Sequence, residues 1–186
     1  PTLWIWLVGV IAGSLAYFKG RRSWKRVFEE YAFNVAIVFC FLTKGNDVLL
    51  IRRGNPPYQG QWTVPGGKKE RGESLSEACA RELYEETGFI LERTALAGIV
   101  TNVSETSPHD NISFYFKSGS FSGSLTPSSE GEIEWCDIKR SLTKERISPF
   151  YTLIAPLVYG GEGRVFEGSI RIDERGRIAA SHIAYL

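Results

Sequence analysis

Residues 67–89 read GKKERGESLSEACARELYEETGF, with Gly66 just ahead of them. Six glutamates fall within this stretch. Ser74-Leu75-Ser76-Glu77 fits a capping box, with Ser74 as N-cap and Glu77 reaching back to it. The helix is expected to run to about Thr87 and to stop at Gly88. On such a helix Glu82, Glu85 and Glu86 lie three and four residues apart and share one side. Leu75, Cys79 and Leu83 form the adjoining apolar stripe. Arg81, four residues before Glu85, is placed to hold it. Carboxylates this close are costly unless a cation joins them. Hard oxygen donors suit Mg²⁺ or Mn²⁺. Such ions also bind phosphates and activate water, and the glycines let backbone approach an ion or phosphate closely. The competing reading is a solvated acidic helix face.

Outward from this helix the chain reads as strands. Phe33 to Phe41 is a β-branched and aromatic run that predicts a buried strand. Lys44-Gly45-Asn46-Asp47 is turn chemistry, and Val48 to Arg53 predicts the second arm of a hairpin. Asn55-Pro56-Pro57 breaks regular structure, and Trp62 to Pro65 is a short apolar piece. Further strands are expected at Ala95 to Val103, Ile112 to Lys117 and Glu132 to Asp137. Ser118 to Ser129, rich in Ser and Gly, reads as a loop. A last helix covers Pro149 to Val158, with Pro156 as a residue that would shorten it. Val165 to Asp173 reads as the closing strand. The class is α/β, strand-rich, with few helices.

Residues 2–18, TLWIWLVGVIAGSLAYF, carry no charge. Helical, they would span roughly 25 Å, at the short end of a bilayer core. Trp4 and Trp6 at one end, and Tyr17 and Phe18 at the other, suit the two interfaces, and KGRRSWKR follows directly. The reading is a membrane-anchor helix over residues 1–19, a basic juxtamembrane linker over 20–31, and a folded domain over 32–186 facing the cytoplasm. A secretory signal peptide fits less well, because its basic charge belongs before the apolar run. A helix used inside the fold or for oligomerisation, with a soluble cytoplasmic protein, is the other alternative.

The 186 residues suffice for one domain with a real core. The net charge is +1 overall. Residues 1–30 carry +3 and the remainder −2, which argues against a nucleic-acid polymer as partner and leaves small phosphorylated molecules open. Three widely spaced cysteines, Cys40, Cys79 and Cys136, suggest neither disulfides nor zinc. Two histidines, His109 and His182, make a histidine metal site improbable and read as surface residues.

The helical stretch resembles the signature of the Nudix (MutT-like) hydrolases. Gly67 is followed after five residues by Glu73, and after seven more by Arg81, Glu82, Leu83, Tyr84, Glu85, Glu86, Thr87, Gly88 and Phe89. Every defined position of the family pattern is met, and GQWTVPGGK looks like its usual lead-in. The resemblance implies an α/β/α sandwich with a mixed sheet. It also implies Mg²⁺- or Mn²⁺-dependent hydrolysis of the diphosphate of a nucleoside diphosphate derivative or oxidised nucleoside triphosphate, by water attack on phosphorus. Carried over by position, Glu82, Glu85 and Glu86 are the expected metal ligands, with the Gly67 carbonyl. Arg81 orients them, and Glu73 braces the loop or helps place a water. Glu130 or Glu132 would add a further carboxylate.

Substrate contacts lie outside the signature. Arg52 and Arg53 end a strand and are candidates to clamp phosphates. Tyr58, Trp62, Phe114 and Tyr151 are candidates to stack on a base, with core packing as the rival role. ADP-ribose or NADH cleavage is one specific reading. An oxidised-purine reading is weakened because Ser148 to Leu153 holds no acid where animal relatives of that type carry two. The rivals from other classes are a non-catalytic nucleotide-sensing Nudix module and a membrane-associated structural protein. A homodimer is left open.

Overall fold

Strand β1, Val35–Lys44, sets up the fold through its alternation. Successive side chains of a strand point to opposite faces. Val38, Cys40 and Leu42 pack with Ala78, Cys79 and Leu83 on one side. Phe41, flanked by Phe39, packs on the other side with Tyr151, Ile154 and Val158. The same strand therefore builds two apolar layers. A computed structural model describes residues 34–186 except 57, 108 and 127–130. The anchor and linker expected over residues 1–31 lie outside the described residues, as does Glu130. Among the described residues no helix is long and apolar enough to cross a membrane.

Gly45, at φ 60°, supplies the left-handed turn to β2, Asp47–Arg53. Strands β3, Trp62–Thr63, and β4, Gly66–Lys68, follow. Helix α1 is Leu75–Thr87. Then come β5, Phe89–Ser104, β6, Asn111–Gly123, and β7, Gly131–Asp137. A short helix α2, Ile138–Ser141, and helix α3, Pro149–Gly160, lead to β8, Phe166–Ile172, and β9, Ile178–Tyr185. The main sheet runs β4-β1-β6-β5-β8-β9, with β1–β6 and β5–β8 parallel and the other pairs antiparallel. Strand β2 continues from the β1 hairpin and carries β3 and β7. This is a mixed sheet with α1 on one face and α3 on the other.

The capping box forms as expected: Ser74 accepts from the Glu77 N–H, and Glu77 accepts from the Ser74 N–H. Gly88, at φ 77°, stops the helix. Three expectations are corrected. Ser118 to Gly123 is not loop; it extends β6 and pairs with the start of β5, Phe89 against Gly123 and Leu91 against Phe121. Pro156 does not shorten α3, because it lies on the exposed side, where water can reach the backbone it leaves unpaired. The strand expected over Val165 to Asp173 forms as β8, Phe166–Ile172, but it does not close the fold: β9 follows, antiparallel to it. The three cysteines are free and buried. His182 is exposed and His109 half-buried.

Candidate active site

Helix α1 buries Ala78, Cys79, Leu83 and Thr87 against the sheet, which fixes its rotation. That rotation brings Glu82 against Gly67 and Arg81 to the Lys68 carbonyl, while Glu85 stays more exposed and is held through Arg81. Arg81 donates through Nε and Nη2 to the two oxygens of Glu73, at 3.1 and 2.9 Å. Its Nη1 reaches Glu82 at 3.0 Å and Glu85 at 2.9 Å. Nη2 also donates to the Lys68 carbonyl at 3.0 Å. One planar fork thus ties three carboxylates to the glycine strand, a task the point charge of lysine would not match. Glu73 is pushed down to about 2, first by the Arg81 hydrogen bonds and then by the Glu70 N–H. The same contacts raise Arg81.

Glu86 faces inward, 9% exposed, and accepts from the Gly66 N–H at 2.9 Å. Glu82 lies directly against Gly67: a Cβ there would come within 2.3 Å of its carboxylate. Any side chain at this position would displace the Glu82 carboxylate. Among the described residues, no three acidic, cysteine or histidine side chains converge on one point as a cation cage. Arg81 offsets part of the carboxylates' negative charge, one guanidinium facing Glu73, Glu82 and Glu85. The donor chemistry still suits a hard divalent cation: carboxylate oxygens beside a glycine backbone with no side chain in the way.

On the opposite face of β1 lies a cavity of about 150 Å³. Phe39, Asn102, Ser113 and Tyr115 line it from the sheet, and Tyr58 and Phe150 from the loop and α3. The glycine strand joins the two regions, because a Cβ on Gly66 would lie 3.1 Å from the Phe39 ring. Arg53 also lines the cavity, whereas Arg52 is paired at 3.4 Å with Glu132 across the β2–β7 register. Adjacent strand residues face opposite ways, so the two arginines do not form one clamp. Trp62 is not at the cavity either. It is buried in the core with Lys144 Nζ 4.3 Å from its ring centre. Phe114 packs on the α1 side. Tyr58 and Tyr151 do line the cavity. Asn102 and Ser113 were not anticipated, since single polar residues inside apolar strands carry no sequence signal of what they face.

The NUDIX domain profile matches residues 32–154. The chain belongs to the NUDIX family. An uncharacterized Nudix hydrolase of Bacillus subtilis, YvcI, is 34% identical over 103 residues, 53% of this chain and 63% of that protein. The ADP-ribose pyrophosphatase of Methanocaldococcus jannaschii is 30% identical over 128 residues, 64% of this chain and 76% of that protein. Among solved structures, a MutT mutator protein from Bacillus halodurans superposes with a TM-score of 0.71 at 26% identity, covering 80% of this chain and 97% of that one. The Nudix signature thus coincides with the helix and glycine strand that Arg81 binds together.

Proposed function

We propose that this Nudix protein is a pyrophosphohydrolase acting on a small nucleotide, cleaving its diphosphate by water attack on phosphorus. The observation that carries the reading is the Arg81 network. It holds Glu73, Glu82 and Glu85 against the glycine strand, one strand away from a cavity able to take an aromatic ring. A divalent cation, Mg²⁺ or Mn²⁺, would be held by Glu82, Glu85, Glu86 and the Gly67 carbonyl. When bound, it would neutralise phosphate charge and lower the pKa of water. Arg81 keeps the carboxylates in register, Glu73 anchors Arg81, and Glu86 fixes the glycine strand through Gly66. The cavity takes the organic part of the substrate. The archaeal relative's name supports an ADP-ribose-like substrate as the finer reading.

Chromatography of the nucleotide products formed with Mg²⁺ on a panel of ADP-ribose, NADH, oxidised dNTPs, sugar nucleotides and dinucleoside polyphosphates tests this. Glu85→Gln and Glu86→Gln should fall to background; equal background activity in both variants and wild type would reject the proposal. The apolar run at residues 2–18 supports a membrane anchor with the domain on its cytoplasmic side. Deleting residues 1–22 should move the protein out of the membrane pellet with hydrolysis intact. Recovery of the full chain in the supernatant would discard the anchor.

A further inference from the structure

Asn102 on β5 lies opposite Asn111 on β6 and is 7% exposed. Its Nδ2 donates to Ser113 Oγ at 2.8 Å, to the Asn111 carbonyl at 3.3 Å and to the Val100 carbonyl at 3.4 Å. Two of these partners are carbonyls, which only accept, so the amide nitrogen must face them. The amide cannot turn round without setting its oxygen against both. Oδ1 therefore faces the other way. It accepts from no group among the described residues, yet it is not among the sealed polar atoms without partners. Asn102 lines the cavity, so that is where its oxygen is open.

The surroundings suit a flat ring. Phe39 stacks on Tyr115 with centroids 5.3 Å apart, and Tyr58 meets Phe150 edge-on at 5.6 Å. Tyr58 holds its ring there from a left-handed backbone, φ 67°, uncommon for a residue with a side chain.

We propose that Asn102 is a specificity-determining residue. Its Oδ1 is a fixed acceptor in the cavity that selects a nucleobase bearing an exocyclic amino group over its oxo or unsubstituted counterpart. This rests on the reading that the cavity holds the organic part of the substrate. An amino group presents a donor where an oxo group presents a second acceptor. A buried acceptor left facing another acceptor is penalised more than a satisfied one is rewarded.

The test is calorimetric binding of AMP, GMP, IMP, CMP and UMP to the whole chain, with no turnover required. At least one of the comparisons AMP with IMP, GMP with IMP, or CMP with UMP is expected to show tenfold or greater preference for the amino member. Asn102→Leu should reduce that gap to within about twofold, by weakening the amino member and leaving the other. A purely structural role for Asn102 would weaken both members alike. Where Asn102→Leu fails to fold, Asn102→Ala reads the same gap, and an absent wild-type preference overturns the proposal without any variant. Equal binding within every pair, or a preference that survives Asn102→Leu, overturns the proposal. Hydrolysis is measured separately, so an inactive protein that still prefers amino bases would reject the proposed reaction and keep this assignment.

Discussion

A methyl group added at Gly67 would meet the Glu82 carboxylate at 2.3 Å, too close for any rotamer to leave that side chain in place. Gly67→Ala is expected to lower kcat/KM about a hundredfold, the scale of a 1 Å displacement in an organised site. Activity within a factor of three of wild type in the initial-rate assay would contradict this. Glu73 carries a prediction in pH. Its carboxyl is lowered from 4.5 to about 2 by Arg81 and the Glu70 N–H. A lowered folded value means that the ionised group stabilises the fold above the unfolded value and that this contribution fades as pH falls toward the folded one. The Tm gap between wild type and Glu73→Gln should be flat from neutral pH down to 4.5. It should then shrink, closing near pH 2. Melting curves across that range check it, and a gap still open at the acid end would count against the Arg81 contact.

Helix α1 depends on its two ends. Ser74→Ala removes the N-cap acceptor and should cost about 1 kcal/mol. Gly88→Ala forces a Cβ onto a φ of 77°, 2.6 Å from Thr126 Oγ1, and should cost about 2 kcal/mol or more. Urea midpoints read both, and Gly88→Ala should be the worse. These ends were legible in the sequence because capping is local: Ser74, Glu77 and Gly88 declare themselves within a few residues. The helical spacing of Glu82, Glu85 and Glu86 was readable for the same reason, but that Glu86 turns inward to the Gly66 N–H while Arg81 takes Glu82 and Glu85 was not. Strand β6 was not. Its tail, Ser118 to Gly123, has loop composition and becomes strand only because the start of β5, about thirty residues earlier in the chain, supplies its hydrogen bonds. The split of Arg52 from Arg53 followed from simple strand alternation. The cavity, by contrast, needed the pairing of Asn102 with Asn111 and the return of α3, contacts that no local pattern announces.

At the scale of the whole molecule, the NUDIX profile ends at residue 154, but the fold does not. Phe166 and Ile170 on β8 are fully buried in the α3-side core, and the Phe166 ring covers Gly98 of β5. Phe166→Ala should therefore cost about 3–5 kcal/mol, read as a fall in the denaturant midpoint; a change under about 1 kcal/mol would place β8 outside the cooperative unit. The internal guanidinium of Arg81 has a further consequence. A helix that carries its own counter-ion can assemble before any metal is captured, unlike small domains whose metal is their folding energy. Synthesis under metal scarcity should then yield a competent but idle protein, ready for reloading. Chelator-treated protein should keep its circular dichroism and melt in one cooperative step.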